Sequence, residues 1–373
     1  MAKAAYIGIN GTARKVKKMF IGVDGVARKV KKAWIGINGI ARLFFSGGEL
    51  SYYGTAAPLN QTKYYLSAAS VGNYAIFAGG DNGSSPVNTT DAYDKSLTHT
   101  TPTSLSENSR LPAAASVGDY ALFGGGFGDS KYKTTMNAYD KSLTRTNPTG
   151  LSTARTAIGT ASVGDFALFA GGMADSTPHN TANAYDKSLT RTAPAGLSIS
   201  RGRLAAASVG GYALFGGGNN GEASNYYSSY LNTVDAYDKS LTRTAPTVLS
   251  ASRDDLAAAS VGEYMLFGGG YNPSGRMATV DAYNSSLTRT APTALSVARD
   301  ELTATSVEDY ALFGGGYPKT AAVDAYDASL TLTNPAELSA GRRWLAAASV
   351  GDYALFGGGN YDNTNAVDVY QVS

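Results

Sequence analysis

The chain of 373 residues contains no cysteine, two histidines and two tryptophans, and charged side chains make up 16 % of it. Without cysteine there are no disulfide staples, thiolate metal sites or cysteine nucleophiles. No apolar run approaches the roughly 20 residues of a membrane helix. Residues 1–12 lack the continuous apolar stretch of a signal peptide. The expectation is a chain made in a reducing cytosol without membrane insertion, leaving a cell, if it does, by lysis or as part of a particle. What is abundant is glycine, at 44, and tyrosine, at 25. That pairing suits many short strands joined by tight turns and argues against disorder.

The net charge of +2 hides an asymmetry. Residues 1–48 carry ten Lys or Arg and one acid, Asp24, for a net of +9, and the remainder is net −7. Such a split suggests two segments with different tasks, divided here as 1–48 and 49–373.

The first segment is a repeat of 14 residues with copies beginning at Tyr6, Phe20 and Trp34. Each copy has an aromatic residue, Ile-Gly, an Asn-Gly or Asp-Gly dipeptide, and then Ala-Arg. Asn10-Gly11, Asp24-Gly25 and Asn38-Gly39 signal two-residue hairpin turns, because both turn residues need positive φ. The reading is three small hairpins in a meander. So short a unit buries little surface alone, so the array is expected to dock or self-associate through Tyr6, Phe20, Trp34, Arg14, Lys15, Arg28, Lys29 and Arg42.

The second repeat is about 46 residues long and occurs seven times. Its marker, Tyr-Ala-Leu-Phe-Gly-Gly-Gly or a near copy, starts at Tyr74, Tyr120, Phe166, Tyr212, Tyr264, Tyr310 and Tyr353. The order within a unit is constant: an Ala-rich strand A, the marker strand B, a variable loop, Val-Asp-Ala-Tyr-Asp as strand C, and Arg-Thr as strand D. Four short strands per unit describe a propeller blade. The expected fold is all-β: a seven-bladed β-propeller behind a small hairpin array. The last unit stops after strand C, and residues 52–59 align with a strand D, so the N-terminal strand is expected to complete the seventh blade and close the ring. Phe215 and Tyr237, with their counterparts in every blade, are expected to pack between blades.

Candidate chemistry is sparse. His99 falls in a strand D slot and His179 in a B–C loop, and both read as surface polar residues rather than as metal ligands or a triad base. Asp254-Asp255 and Asp300-Glu301 read as loop pairs rather than acid–base machinery. Asp81-Asn82-Gly83 is weak as a calcium loop. No cofactor or metal is expected, and the chain reads as a binder, not an enzyme.

The repeats disagree on one face only. The A–B and C–D turns recur almost unchanged. The B–C and D–A loops vary and carry Tyr132, Tyr226, Tyr227, Tyr230, Tyr271, Tyr317 and Tyr361. The two D–A positions before strand A run Tyr64-Tyr65, Arg110-Leu111, Thr156-Ala157, Gly202-Arg203, Asp254-Asp255, Asp300-Glu301 and Arg343-Trp344. Variation on a constant scaffold, rich in Tyr, Trp and Arg, resembles a recognition surface. The aromatic pairs of blades one and seven are expected to meet on ring closure as a stacking patch. The acidic pairs of blades five and six are expected to form a separate negative sector.

The Gly-Gly after strand B and the later Tyr-Asp resemble the kelch motif over residues 51–373, although the kelch Trp of strand D is missing. Kelch resemblance also brings in the copper radical oxidases, whose cysteine-crosslinked tyrosine has no counterpart here; the Asp-box of propeller sialidases is likewise absent. The 14-residue unit, as in residues 20–32, is similar to repeats that precede adhesive modules in prophage tail and fibre proteins of Gram-positive gut bacteria. That resemblance implies a virion or tail-like particle, docked through residues 1–46, whose propeller meets a host cell-surface glycan or protein. An intracellular kelch-type scaffold and an anionic-polymer binder acting through the basic N-terminus are the other readings left open.

Overall fold

The structure is a computed structural model that describes residues 48–221, 229–360 and 364–373, together with the backbone of six strands between residues 6 and 46. Those six strands form three separate two-stranded ribbons: Tyr6–Ile9 with Thr12–Lys15, Met19–Val23 with Val26–Val30, and Lys32–Ile37 with Ile40–Ser46. The ladders end at the pairs Ile9 with Thr12, Val23 with Val26 and Ile37 with Ile40, and the Asn-Gly and Asp-Gly dipeptides between them lie outside the described residues. Among the described residues no ladder joins one ribbon to the next. In register, Tyr6 lies opposite Lys15, Phe20 opposite Lys29 and Trp34 opposite Leu43, while Arg14, Arg28 and Arg42 face Ile7, Ile21 and Ile35.

Residues 50–372 form seven four-stranded antiparallel blades. In blade four, strand A is Ala205–Val209, B is Tyr212–Gly216, C is Val234–Asp238 and D is Arg243–Thr244. The constant turns have local causes. In the C–D turn of this blade, the Asp238 carboxylate accepts bonds from the backbone N–H of Ser240 at 2.8 Å and Thr242 at 2.9 Å, while Leu241 sits at φ +60°. An Asp side chain that replaces missing backbone partners is what such a tight turn needs.

The ring closes as expected, with the strand shifted. The closing strand is Leu50–Thr55 rather than residues 52–59, and it pairs with Val367–Val372 to give the seventh blade its fourth strand. Glu49 and Ser373 extend the pairing by exchanging backbone bonds at 3.1 and 3.2 Å. Residues 56 to 59 continue as a connection in which Ala56 donates to Val367 and Leu59 to Asn365.

The core lies between blades. Each of seven apolar clusters joins the A, B and C strands of one blade to the Phe and Tyr of the next. In one, Leu168 and Ala184 of blade three meet Phe215 and Tyr237 of blade four; in another, Leu355 and Val369 of blade seven meet Phe77 and Tyr93 of blade one. Phe215 and Tyr237 are fully buried, in an edge-to-face pair at 5.7 Å. The buried phenol still has a partner, since Tyr237 donates to the Ala195 carbonyl, at the end of the preceding blade, at 2.8 Å. Where strand B ends in glycine against the next blade the approach is close: a Cβ on Gly216 would sit 2.7 Å from the Phe267 ring of the next blade.

Candidate functional site

The variable face is built on a charged anchor that the sequence reading overlooked. Three residues before the apolar residue that immediately precedes strand A, blades three to seven place Arg155, Arg201, Arg253, Arg299 and Arg342, each at most 1 % exposed. Blade one places Lys63 there. The partner is the second residue of strand C. Lys63 reaches Asp91 at 2.7 Å, Arg201 reaches Asp235 at 2.8 Å, Arg253 reaches Asp281 at 2.8 Å, Arg299 reaches Asp324 at 2.8 Å and Arg342 reaches Asp368 at 2.5 Å. Where Ser109 replaces the base in blade two, Asn137 replaces the acid, and this exchange within one chain was a legible signal of contact. Blade three breaks the rule. Arg155 has Asn183 at 3.2 Å and backbone carbonyls instead, and burial lowers its pKa to about 10.

Strand D completes several of these clamps. Arg243 reaches Asp235 at 2.7 Å and Arg289 reaches Asp281 at 2.6 Å, and in the closing strand Tyr52 donates to Asp368 at 2.7 Å. His99 takes the same role, 2.8 Å from Asp91 and stacked on Tyr93 at 4.9 Å. It is therefore a clamp residue of blade one, not a surface polar residue. The His179 ring has a buried Nε2 without a hydrogen bond.

The variable pair occupies the two positions immediately after each anchor. The first member bridges the B–C loop of its own blade: Tyr64 with Asp81, Asp254 with Tyr271, Asp300 with Tyr317 and Arg343 with Asn360. B–C and D–A loops therefore share one face. The second member is left-handed in all seven blades: Tyr65, Leu111, Ala157, Arg203, Asp255, Glu301 and Trp344 have φ between +48° and +55°. That conformation turns each carbonyl toward the neighbouring blade. Trp344 donates to Glu301, Glu301 to Asp255, Asp255 to Arg203, Arg203 to Ala157, Leu111 to Tyr65 and Tyr65 to Trp344, all at 2.7–3.2 Å. The Thr156 hydroxyl spans the remaining step by donating to the Leu111 carbonyl at 3.2 Å. A circle of seven residues thus rims the central opening. Non-glycine residues in this region are strained, and the hydrogen-bonded circle is what holds them there.

The structure brings the aromatic pairs of blades one and seven together, with Tyr65 and Trp344 4.2 Å apart and Tyr64 and Trp344 5.8 Å apart. The Arg343 guanidinium lies over Trp344 at 3.6 Å and over Tyr317 at 4.8 Å; Arg276 lies over Tyr317 at 3.9 Å and Tyr271 at 5.9 Å, and Tyr230 adjoins Tyr271 at 5.9 Å. Arg276, at the end of a short B–C hairpin, was missed because that hairpin occurs in some blades only. Tyr65 and the Arg343 guanidinium both pack against the half-buried Trp344 indole. Arg110, Phe127 and Tyr132 form a separate group in blade two, with Arg110 over Phe127 at 5.1 Å and Tyr132 beside it at 5.0 Å. Tyr226, Tyr227 and Tyr361 lie outside the described residues.

The expected free negative sector is corrected too. Arg203 lies 3.5 Å from Asp255, Arg276 3.0 Å from Asp300, Arg343 2.7 Å from Glu301 and Arg110 3.6 Å from Asp81. Each of these carboxylates has its own guanidinium. Asp254, 1 % exposed, has Arg203 at 3.9 Å, and among the described residues its Oδ2 finds no hydrogen-bond partner. Burial first, and the adjoining Asp255 charge second, push the Asp254 carboxyl well above the usual carboxylate range; burial also raises Asp255. Among the described residues no three His, Asp or Glu side chains converge as metal ligands.

Below the rim lies the central channel, walled by the A strands. Its upper part, about 360 Å³, is lined by Leu66, Leu111, Pro112, Ile158, Leu345 and strand A residues. Its lower part, about 480 Å³, is lined by Ala, Ser and Thr of all seven blades. Neither lining contains an ionisable residue. Ser70, Ser116, Ser162, Ser208 and Ser260 each donate to the carbonyl of the corresponding Ser in the preceding blade, as Ser116 does to Ser70 at 2.6 Å.

No protein-family model matches the chain, and no curated protein matches it. Among solved structures, that of YjhT aligns with a TM-score of 0.57 at 14 % identity, covering 73 % of this chain and 98 % of that one. At that identity the likeness extends to the fold alone, and it supports the propeller. A propeller is consistent with a role in binding or interaction.

Proposed function

We propose that this chain is a non-catalytic binding protein that recognises a cell-surface glycan or protein through the rim where its B–C and D–A loops meet. One observation carries the reading: the positions at which seven near-identical repeats differ form one continuous, hydrogen-bonded circle around the opening. A surface kept on a constant frame but varied residue by residue suits selection for a ligand. Pairing of the rim carboxylates Asp255, Asp300 and Glu301 with guanidinium groups fits recognition better than acid–base chemistry. The kelch-like repeat and the prophage-type N-terminal repeats extend the reading to a receptor-binding or decoration protein of a phage or tail-like particle, with the basic ribbons as the dock and the propeller facing outward.

The test is a paired alanine scan with the full chain, scored by binding to intact bacterial cells. Trp344→Ala and Tyr65→Ala are expected to weaken binding by about 2 kcal/mol or more, as at an interface hot spot. Lys239→Ala, in a C–D turn on the opposite face, is expected to leave binding unchanged. Losses confined to the constant face would place recognition on the other side of the ring. Asp254 favours a second reading, since a protonated carboxyl is what a general acid needs. Hydrolysis of a glycan panel by the native chain, abolished in Asp254→Asn, would make the protein an enzyme.

A further inference from the structure

The rim is chemically divided in two. Going round the ring, Trp344, Tyr65, Leu111 and Ala157 of blades seven, one, two and three form an uncharged arc. Arg203, Asp255 and Glu301 of blades four, five and six form a polar arc opposite. The upper channel lies chiefly against the uncharged arc, since Leu111 and Ala157 belong to both and Leu66, Ile158 and Leu345 follow the same blades. Its volume, about 360 Å³, is in the range of a small-molecule site, and its lining mixes apolar side chains with exposed backbone and hydroxyl polar atoms.

Charge narrows the ligand further. The polar arc sets three guanidinium groups, Arg203, Arg276 and Arg343, against the four carboxyl groups of Asp254, Asp255, Asp300 and Glu301, so it offers no positive surplus to an anion. The channel has no ionisable group that could neutralise a guest, so a charged group passing the rim would lose hydration without compensation. A hydroxyl-rich guest meets complementary groups instead. Its C–H surface fits the uncharged arc. Its hydroxyls can donate to Asp255 and Glu301 and accept from Arg203. A protein side chain with a long apolar stem would use only half of this surface.

We infer that the ligand places an uncharged saccharide terminus through the rim into the upper channel, between the Trp344–Ala157 arc and the Arg203–Glu301 arc. This rests on the rim being the recognition surface, and it adds the ligand class and the direction of approach. Recognition is end-on: the chain terminus is read by the opening, and the B–C loops meet the units behind it.

The natural repeats supply the test. Position 157 has φ +53°, and the equivalent positions hold Tyr65 and Trp344 at φ +55°. The backbone at Ala157 therefore accepts a large aromatic residue, and Ala157→Trp or Ala157→Tyr fills the opening without altering the outer loops. Calorimetric titration of the full-length chain would use neutral linear oligosaccharides, matched anionic ones, and neutral chains capped at the non-reducing end with a bulky group. Neutral chains are expected to bind. Ala157→Trp and end-capping are each expected to weaken binding at least about 30-fold with an unchanged melting temperature, the factor a hot-spot loss of this size gives. Binding retained in both Ala157 variants but lost in Trp344→Ala would overturn end-on insertion while leaving the rim as the recognition surface. Equal or tighter binding of anionic chains would overturn the neutral class. Trp344-dependent binding to protease-sensitive cell-surface protein, with no saccharide bound, would overturn the saccharide and leave the surface standing. Binding insensitive to both Trp344 and Ala157 would remove the rim itself from recognition.

Discussion

Arg253 and Asp281 show what a single pair contributes. Both are fully buried, and Asp281 is clamped by Arg253, Arg289 and Ser250. Burial opposes ionisation of the Asp281 carboxyl, but the Arg253 charge and the hydrogen bonds from Arg289, Arg253 and Ser250 outweigh it and hold its pKa below the usual value. Its contribution is thus full above the unfolded-state pKa and is lost as pH falls through the lower folded value. Asp281→Ala leaves a buried guanidinium without its counter-ion and is expected to cost about 3–5 kcal/mol at pH 7, measured by urea unfolding, with the gap to the native chain shrinking in acid. Asp254 has the opposite sign. Its folded pKa is raised, so its contribution is full below the unfolded-state value and is lost as pH rises through the folded one. Asp254→Asn is therefore expected to gain stability relative to the native chain as pH rises, and a pH series of chemical melts checks it. The strand C acids were readable as a repeat; their burial was not, because only packing decides whether a carboxylate in a strand meets water or an arginine.

At the scale of one element, the closing strand separates frame from appendage. Residues 50–55 supply a ladder that strand C of blade seven cannot find elsewhere, and among the described residues none before Glu49 joins that ladder. Removing residues 1–48 is expected to leave the melting temperature of the propeller almost unchanged. Removing residues 1–59 strips the strand and its connection, exposes an edge and takes Leu59, 1 % exposed in the intact ring, out of the core between blades seven and one. A much lower melting temperature and aggregation are expected, by calorimetry and light scattering. Equal melting temperatures would mean that the ring does not depend on this strand. The sequence marked the missing strand D correctly but started it two residues late, since residues 56 to 59 share the spacing of the repeat without its ladder.

At the scale of the molecule, every blade is half of two cores. Phe215 lies between blades three and four and Phe77 between blades seven and one, so the join at the chain ends is built like the joins along the chain. Phe215→Ala and Phe77→Ala are each expected to cost about 3–5 kcal/mol and to shift one cooperative transition by calorimetry. Two resolved transitions would mean that the closing join behaves as a separate unit.

The repeat alone determined blade number, strand order, the constant and variable faces and the identity of the packing aromatics, because each follows from a periodicity that local chemistry enforces seven times. Only the tertiary structure decided which variable residues meet. Trp344 lies against Tyr65 because the ring closes, a contact 279 positions apart in the sequence. The acidic pairs lose their expected negative field because Arg203, Arg276 and Arg343 come to them from other loops or neighbouring blades. Partners fixed by closure and by loop crossing leave no local pattern in the chain, and at the rim it is those partners that set charge, exposure and the shape of the opening.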